Sequence, residues 1–171
     1  MLESLEAFQK AAEKEMKTAE GSLKMLIGAL LAIEKDKKLA AQMLTVVLSK
    51  KSLVPDKSKN APLKVKPEPA IKRLIDHMGF KPNIVRSYAG GTPENGYKCD
   101  LENPKVPVIK AIYSDDKKDV EFLVQSSGKD SYTPLKFGIS NEGIWKFTGK
   151  SGGLSSLATG VKNPVEDPRD I

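Results

Sequence analysis

The hydrophobic period of this chain changes once, at Phe80-Lys81-Pro82, and that change constrains the fold more than any other feature. Before it, apolar residues recur at three- and four-residue steps, which stacks them along one face of an α-helix. After it they alternate, the period of a strand buried on one side. Helices grouped before strands argue for an α+β fold built on an antiparallel meander, not for alternating βαβ units.

In the helical part, Leu5, Phe8, Ala12, Met16 and Ala19 place an amphipathic helix within residues 3–20. Gly21-Ser22 is expected to stop it, with Ser22 as the next N-cap. Leu23, Leu26, Ile27, Leu30, Leu31 and Ile33 then surround a second helix almost completely, the pattern of a helix buried between others. That run contains Lys24 and is about half the length of a membrane span, so no membrane role is expected. Asp36 is placed to cap a third helix carrying Leu39, Met43, Leu44, Val47 and Leu48. Pro69 opens a fourth through Ile71, Leu74, Ile75 and Met78, which Gly79 closes. His77, in its last turn, suits a capping role at a helix C-terminus.

Strands are expected at 83–88, 105–113, 120–125, 133–139 and 144–148, with Pro107 marking an edge and Asn95-Gly96 a tight turn. The stretch Val120–Val161 holds Phe122, Val124, Leu135, Phe137, Ile144, Phe147 and the only tryptophan. Trp145 is therefore expected in the core on a central strand, and Ser151–Ser156 as a flexible connection. The resulting organisation is a helical segment at 1–50, a basic Pro/Lys-rich loop at 51–68, an α+β sheet portion of the same domain at 69–162, and a tail at 163–171.

Charge is concentrated. Between residues 50 and 73 lie eight basic and two acidic residues, a net +6 that equals the charge of the whole chain. Pro55, Pro62, Pro67 and Pro69 break the run, and its lysines repel, so 50–68 is expected to be the most mobile internal segment. Lysine outnumbers arginine there and no aromatic is interleaved, which does not suit base stacking or bidentate phosphate capture.

One cysteine, Cys99, and one histidine leave no disulfide framework and no Cys/His metal cluster. A GxSxG elbow and a Walker loop are both absent. The carboxylate pairs Asp115-Asp116 and Glu166-Asp167 lie in a turn and in the tail, where burial would not tune them. No cofactor and no metal are expected. Ser126–Ser131 is expected as a hairpin loop, with an anion-binding nest as the functional alternative. The first residues are acidic and no apolar signal segment follows them, which points to a cytoplasmic setting.

Three stretches go beyond pattern: Arg86-Ser87-Tyr88 through Thr92-Pro93-Glu94-Asn95-Gly96-Tyr97, Ser127 through Pro134, and Gly143-Ile144-Trp145, with Ser155-Ser156-Leu157 to Gly160-Val161 following. Together they resemble a family of uncharacterised bacterial proteins, a domain of unknown function, over roughly residues 20–165. That family usually carries Arg before the proline of its second block, where this chain has Thr133. The resemblance implies no activity. The helices-then-sheet order with a closing G-x-W strand also resembles the cone-shaped roll of the nuclear transport factor 2 type.

The fold class expected is thus α+β, with N-terminal helices packed on a curved antiparallel β-meander. Candidate binding residues are Arg86, Tyr88, Asn95, Tyr97, Ser127 and Asp130, polar groups that core packing does not explain. On a strand, Arg86 and Tyr88 share a face. Arg86 would then offer a fork to an acidic ligand between two tyrosine walls, or pair with Asp130 to tie the turn to the sheet. The function expected is a non-enzymatic binding or protein-interaction module, with another protein as partner. The alternative is a small-molecule or nucleotide binder, an enzyme among the options, using a pocket on the concave sheet; a small acidic ligand is the other partner considered. A basic nucleic-acid accessory role ranks third.

Overall fold

The computed structural model describes residues 2–165, so Glu166-Asp167 lie outside the described residues. Four helices fall in the first half: α1 (Leu5–Glu15), α2 (Ala19–Leu31), α3 (Lys37–Val47) and α4 (Pro69–Phe80). A hairpin of β1 (Leu53–Pro55) and β2 (Val65–Pro67) separates α3 from α4. After the short α5 (Asn83–Arg86) come β3 (Val108–Tyr113), β4 (Asp119–Gln125), β5 (Tyr132–Ile139) and β6 (Trp145–Phe147), and then α6 (Lys150–Leu157). The four later strands form one antiparallel sheet in simple sequence order. This is the expected α+β architecture, with both sheets open.

Ser4, Thr18 and Asp36 side chains accept from the amides of Ala7, Gly21 and Leu39, capping the first three helices. The cap of α2 is therefore Thr18, not Ser22. Gly21 sits inside α2 because a Cβ there would lie 1.8 Å from the Glu15 carbonyl oxygen, where α1 ends against it. Ser22 is fully buried and donates instead to the Trp145 carbonyl across the helix–sheet boundary, at 2.9 Å. The helix α2 is buried almost all round, as its apolar sequence requires, and packs on β5 and β6.

One face of the sheet is covered. Val120, Phe122, Val124, Leu135, Phe137, Trp145 and Phe147 point to the helices, alternating with half-buried or exposed residues along β4 and β5. Phe122, Phe137 and Phe147 stack edge to face, with centroids 5.8 and 5.5 Å apart. These side chains fill the face that the helices cover. The sheet curls enough that Tyr113 of β3 meets Trp145 of β6 at 6.3 Å. Trp145 is buried, but on the last strand of the sheet and not on a central one; its backbone N–H donates to Met16 and Phe147 bridges to Leu48. The opposite edge, β3, is guarded by Pro107, a bulge between Val108 and Lys110, and the Lys110 charge.

Three further expectations change. Residues 83–88 form α5 and a turn, because Ile84, Val85 and Tyr88 bury on a helical face as well as they would alternate on a strand. The 51–68 segment contains the β1–β2 hairpin, packed on α3 through β2. Residues 150–157 form α6, held by Leu154 and Leu157 in the core despite their Gly/Ser content. No helix among the described residues is long and apolar enough to cross a membrane.

Candidate functional site

The six candidate residues do not form one cluster; each is bonded to its own protein partners, tying neighbouring segments together. Arg86 ends α5 and reaches back to Glu34, donating Nε–H to Oε2 at 2.9 Å and Nη2–H to Oε1 at 2.6 Å. Its third donor, Nη1, meets the Tyr97 carbonyl at 3.2 Å. The Glu34 hydrogen bonds hold the guanidinium above its already high pKa, against a smaller opposing effect of burial. Arg86 does not pair with Asp130, whose partner is Lys162 at 3.0 Å. Nor do Arg86 and Tyr88 share a face: α5 turns Tyr88 into the core, fully buried.

The Tyr88 hydroxyl lies 2.6 Å from Thr133 Oγ1 and accepts from Lys129 Nζ at 2.8 Å. The cation at this point is Lys129. Lys129 Nζ also donates to the Leu157 and Ser156 carbonyls at 2.7 and 3.3 Å, capping the end of α6. Burial pushes its pKa down to about 8. Desolvation likewise raises the Tyr88 phenol.

Asn95 forms a capping box with Thr92, and its Oδ1 also accepts from the Lys98 amide. Gly96 and Tyr97 both take positive φ, 69° and 59°, which swings the Tyr97 ring inward. Its hydroxyl donates to the Lys162 carbonyl at 2.5 Å. Ser127 Oγ donates to the Gly91 carbonyl at 2.5 Å, and Ser126 Oγ to Ser87 Oγ at 2.6 Å. The Ser126–Ser131 loop thus spends these hydroxyls on the preceding block, which makes it a hairpin loop tied to residues 87–97. Asn95 and Ser127 are exposed like Asp130, but their polar atoms are spent on protein partners, and Asp130 borders an open hollow of about 650 Å³ that does not enclose a ligand.

A different place is built to receive one. The helices α3 and α4 and the β1–β2 hairpin enclose a cleft of about 390 Å³. From α3 come Lys37, Lys38, Ala41, Gln42 and Thr45, a single stripe at helical spacing. Lys72, Ile75 and Asp76 come from α4, and Asp56, Pro62, Leu63, Val65, Lys66 and Pro67 from the hairpin. The floor is apolar and the rim carries four lysines against two aspartates.

Both aspartates are engaged. Asp76 lies 3.7 Å from Lys37, and Asp56 accepts from the Ser58 hydroxyl and amide, which holds its carboxyl below the usual range, with smaller contributions from the nearby Lys66 and Lys38 charges. Lys38, Lys66 and Lys72 have no carboxylate at ion-pairing distance among the described residues. Such a cleft can take an anionic group at its mouth and an apolar body at its floor. Sequence reasoning saw the +6 between residues 50 and 73 but not the cavity, because its walls come from three segments that only the fold brings together.

No curated protein and no solved structure matches the chain. The family model described as Domain of unknown function (DUF6935) matches residues 2–165, and the chain belongs to that family.

Proposed function

We propose that the protein is a non-enzymatic binding module whose site is the lysine-rimmed cleft between α3, α4 and the β1–β2 hairpin. The observation that carries this reading is the excess of four lysines over two aspartates around an apolar floor, with Lys38, Lys66 and Lys72 having no carboxylate within 4 Å among the described residues. Single exposed ion pairs contribute only about 0.2–1 kcal/mol, so the rim supplies selection for negative charge and the floor most of the affinity. A bacterial cytoplasm is the proposed setting, resting on the family resemblance.

The direct test uses anilinonaphthalene sulfonate, an anionic dye with an apolar body. The wild type is expected to bind it with enhanced fluorescence that weakens as salt is added. A Lys66→Glu/Lys72→Glu variant is expected to lose that signal at an unchanged melting temperature. If the variant binds the dye as the wild type does, the cleft is not the site.

A small acidic molecule is the second reading. It is favoured by the cavity of about 390 Å³, within the range of roughly 300–1,000 Å³ usual for small-ligand sites.

A further inference from the structure

If the cleft is the binding site, the distribution of charge and apolar surface around it selects the kind of occupant. Lys37, in the first turn of α3, contacts Asp76 and Phe80 late in α4. The two helices therefore cross the cleft in opposite directions, and their first turns open at opposite ends of it. Both of those turns carry lysine, Lys37 and Lys38 in one and Lys72 in the other, and neither carries an acidic residue. The helices α1 and α2, which do not line the cleft, have Glu6 and Glu20 in that place. Lysine at the positive end of a helix dipole is electrostatically unfavourable. The N-caps Asp36 and Glu68 put one carboxylate at each of those starts, so what the cleft offers an anion is the excess in its lining, four lysines against Asp56 and Asp76, with Ala41, Leu63, Val65 and Ile75 between.

The receptive surface also runs past the cavity. At the Lys37 end, Phe80 is 80% exposed beneath the Lys37 ammonium, 4.8 Å from its ring centroid. On the hairpin side, Lys57, Lys59 and Lys64 are all exposed. From Lys72 to Phe80 the helical rise alone is about 12 Å. A molecule sized to the cavity would leave Phe80 and the hairpin lysines uncovered. Lysine point charges take anionic groups without a planar fork, and with no arginine and no aromatic ring among the described residues lining the cleft, nothing there stacks on a nucleobase.

We infer that the partner is an acidic segment of another protein, laid along the cleft with an apolar residue on the floor and Asp or Glu side chains at both ends. Phe80 packs against the segment as it leaves the Lys37 end.

Dye displacement tests this. Short acetylated peptides with Asp and Glu flanking a Leu would compete against bound anilinonaphthalene sulfonate, beside Asn/Gln counterparts and a single-stranded oligonucleotide. The acidic peptide is expected to displace the dye at least about tenfold better than its neutral counterpart, a gap of one decade in Kd. Lys38→Glu/Lys72→Glu is expected to abolish that difference, and Phe80→Ala to weaken the peptide while leaving the dye unaffected. Dye binding without preference for the acidic peptide overturns the inference and leaves the cleft standing. Stronger displacement by the oligonucleotide overturns it in favour of nucleic acid. Absence of dye binding removes the cleft itself, and the inference with it.

Discussion

Arg86 grips Glu34 through both carboxylate oxygens, across 52 positions of sequence. The pair joins the end of α2's extension, residues 32–34, to the turn after α5, while the third donor holds the Tyr97 carbonyl. All three guanidinium nitrogens donate to protein acceptors. Arg86→Ala is therefore expected to destabilise the fold by roughly 1.5–3 kcal/mol, the range for hydrogen bonds to charged groups. Urea unfolding of Arg86→Ala, Glu34→Gln and the double variant measures it. A double-mutant cycle with no coupling would show the contact to be incidental. Dye binding in the cleft is expected to survive in all three.

Trp145 closes the sheet against α1 and α2. It is 7% exposed, edge-on to Tyr113, and its backbone is bonded on both sides to the helices. Trp145→Ala is expected to cost about 3–5 kcal/mol, as for large aromatic truncations in cores. A urea midpoint close to wild type would place the ring outside the cooperative core.

The α1–α2 corner admits no side chain at position 21. With a Cβ 1.8 Å from the Glu15 oxygen, Gly21→Ala must displace backbone. A loss of about 3 kcal/mol, the upper end for overpacking, is expected from thermal unfolding. A neutral result would mean the corner opens freely.

Lys129 has a pH signature. Its folded-state pKa of about 8 lies below the ordinary 10.5 because of burial. Between those values the unfolded chain binds more protons than the folded one, so this residue's contribution to stability rises as pH rises from about 8 to 10.5 and is constant below. Wild type is expected to gain stability relative to Lys129→Met over that window, read by chemical denaturation at each pH. A flat difference would mean that Lys129 keeps its ordinary pKa.

The parts of the fold legible in the sequence are those whose side chains repeat a period for several turns or several pairs, or that carry a strong local cap. The α2 apolar run and the β4–β5 alternation are of the first kind, the Asp36 cap and the Pro69 start of the second. β1 and β2 are three residues each, too short to show any period, and their lysines hid Leu53, Val54 and Val65. α6 has poor local propensity and exists through Leu154, Leu157 and the Lys129 cap. At the site, the motif residues were visible because they are unusual. Their reason is the knot that binds residues 86–97 to 126–133. The cleft left only its charge in the sequence, since apolar floor residues such as Ile75 look like any core face.

Amide chemical shifts on adding the acidic Leu-containing peptide test most directly whether binding belongs to the cleft or to the motif blocks. Perturbations are expected to concentrate on the cleft-lining stretches, residues 37–45, 56–67 and 72–76, with Phe80 at their end. Shifts centred on residues 86–97 and 126–131, with α3, α4 and the hairpin unmoved, would contradict it.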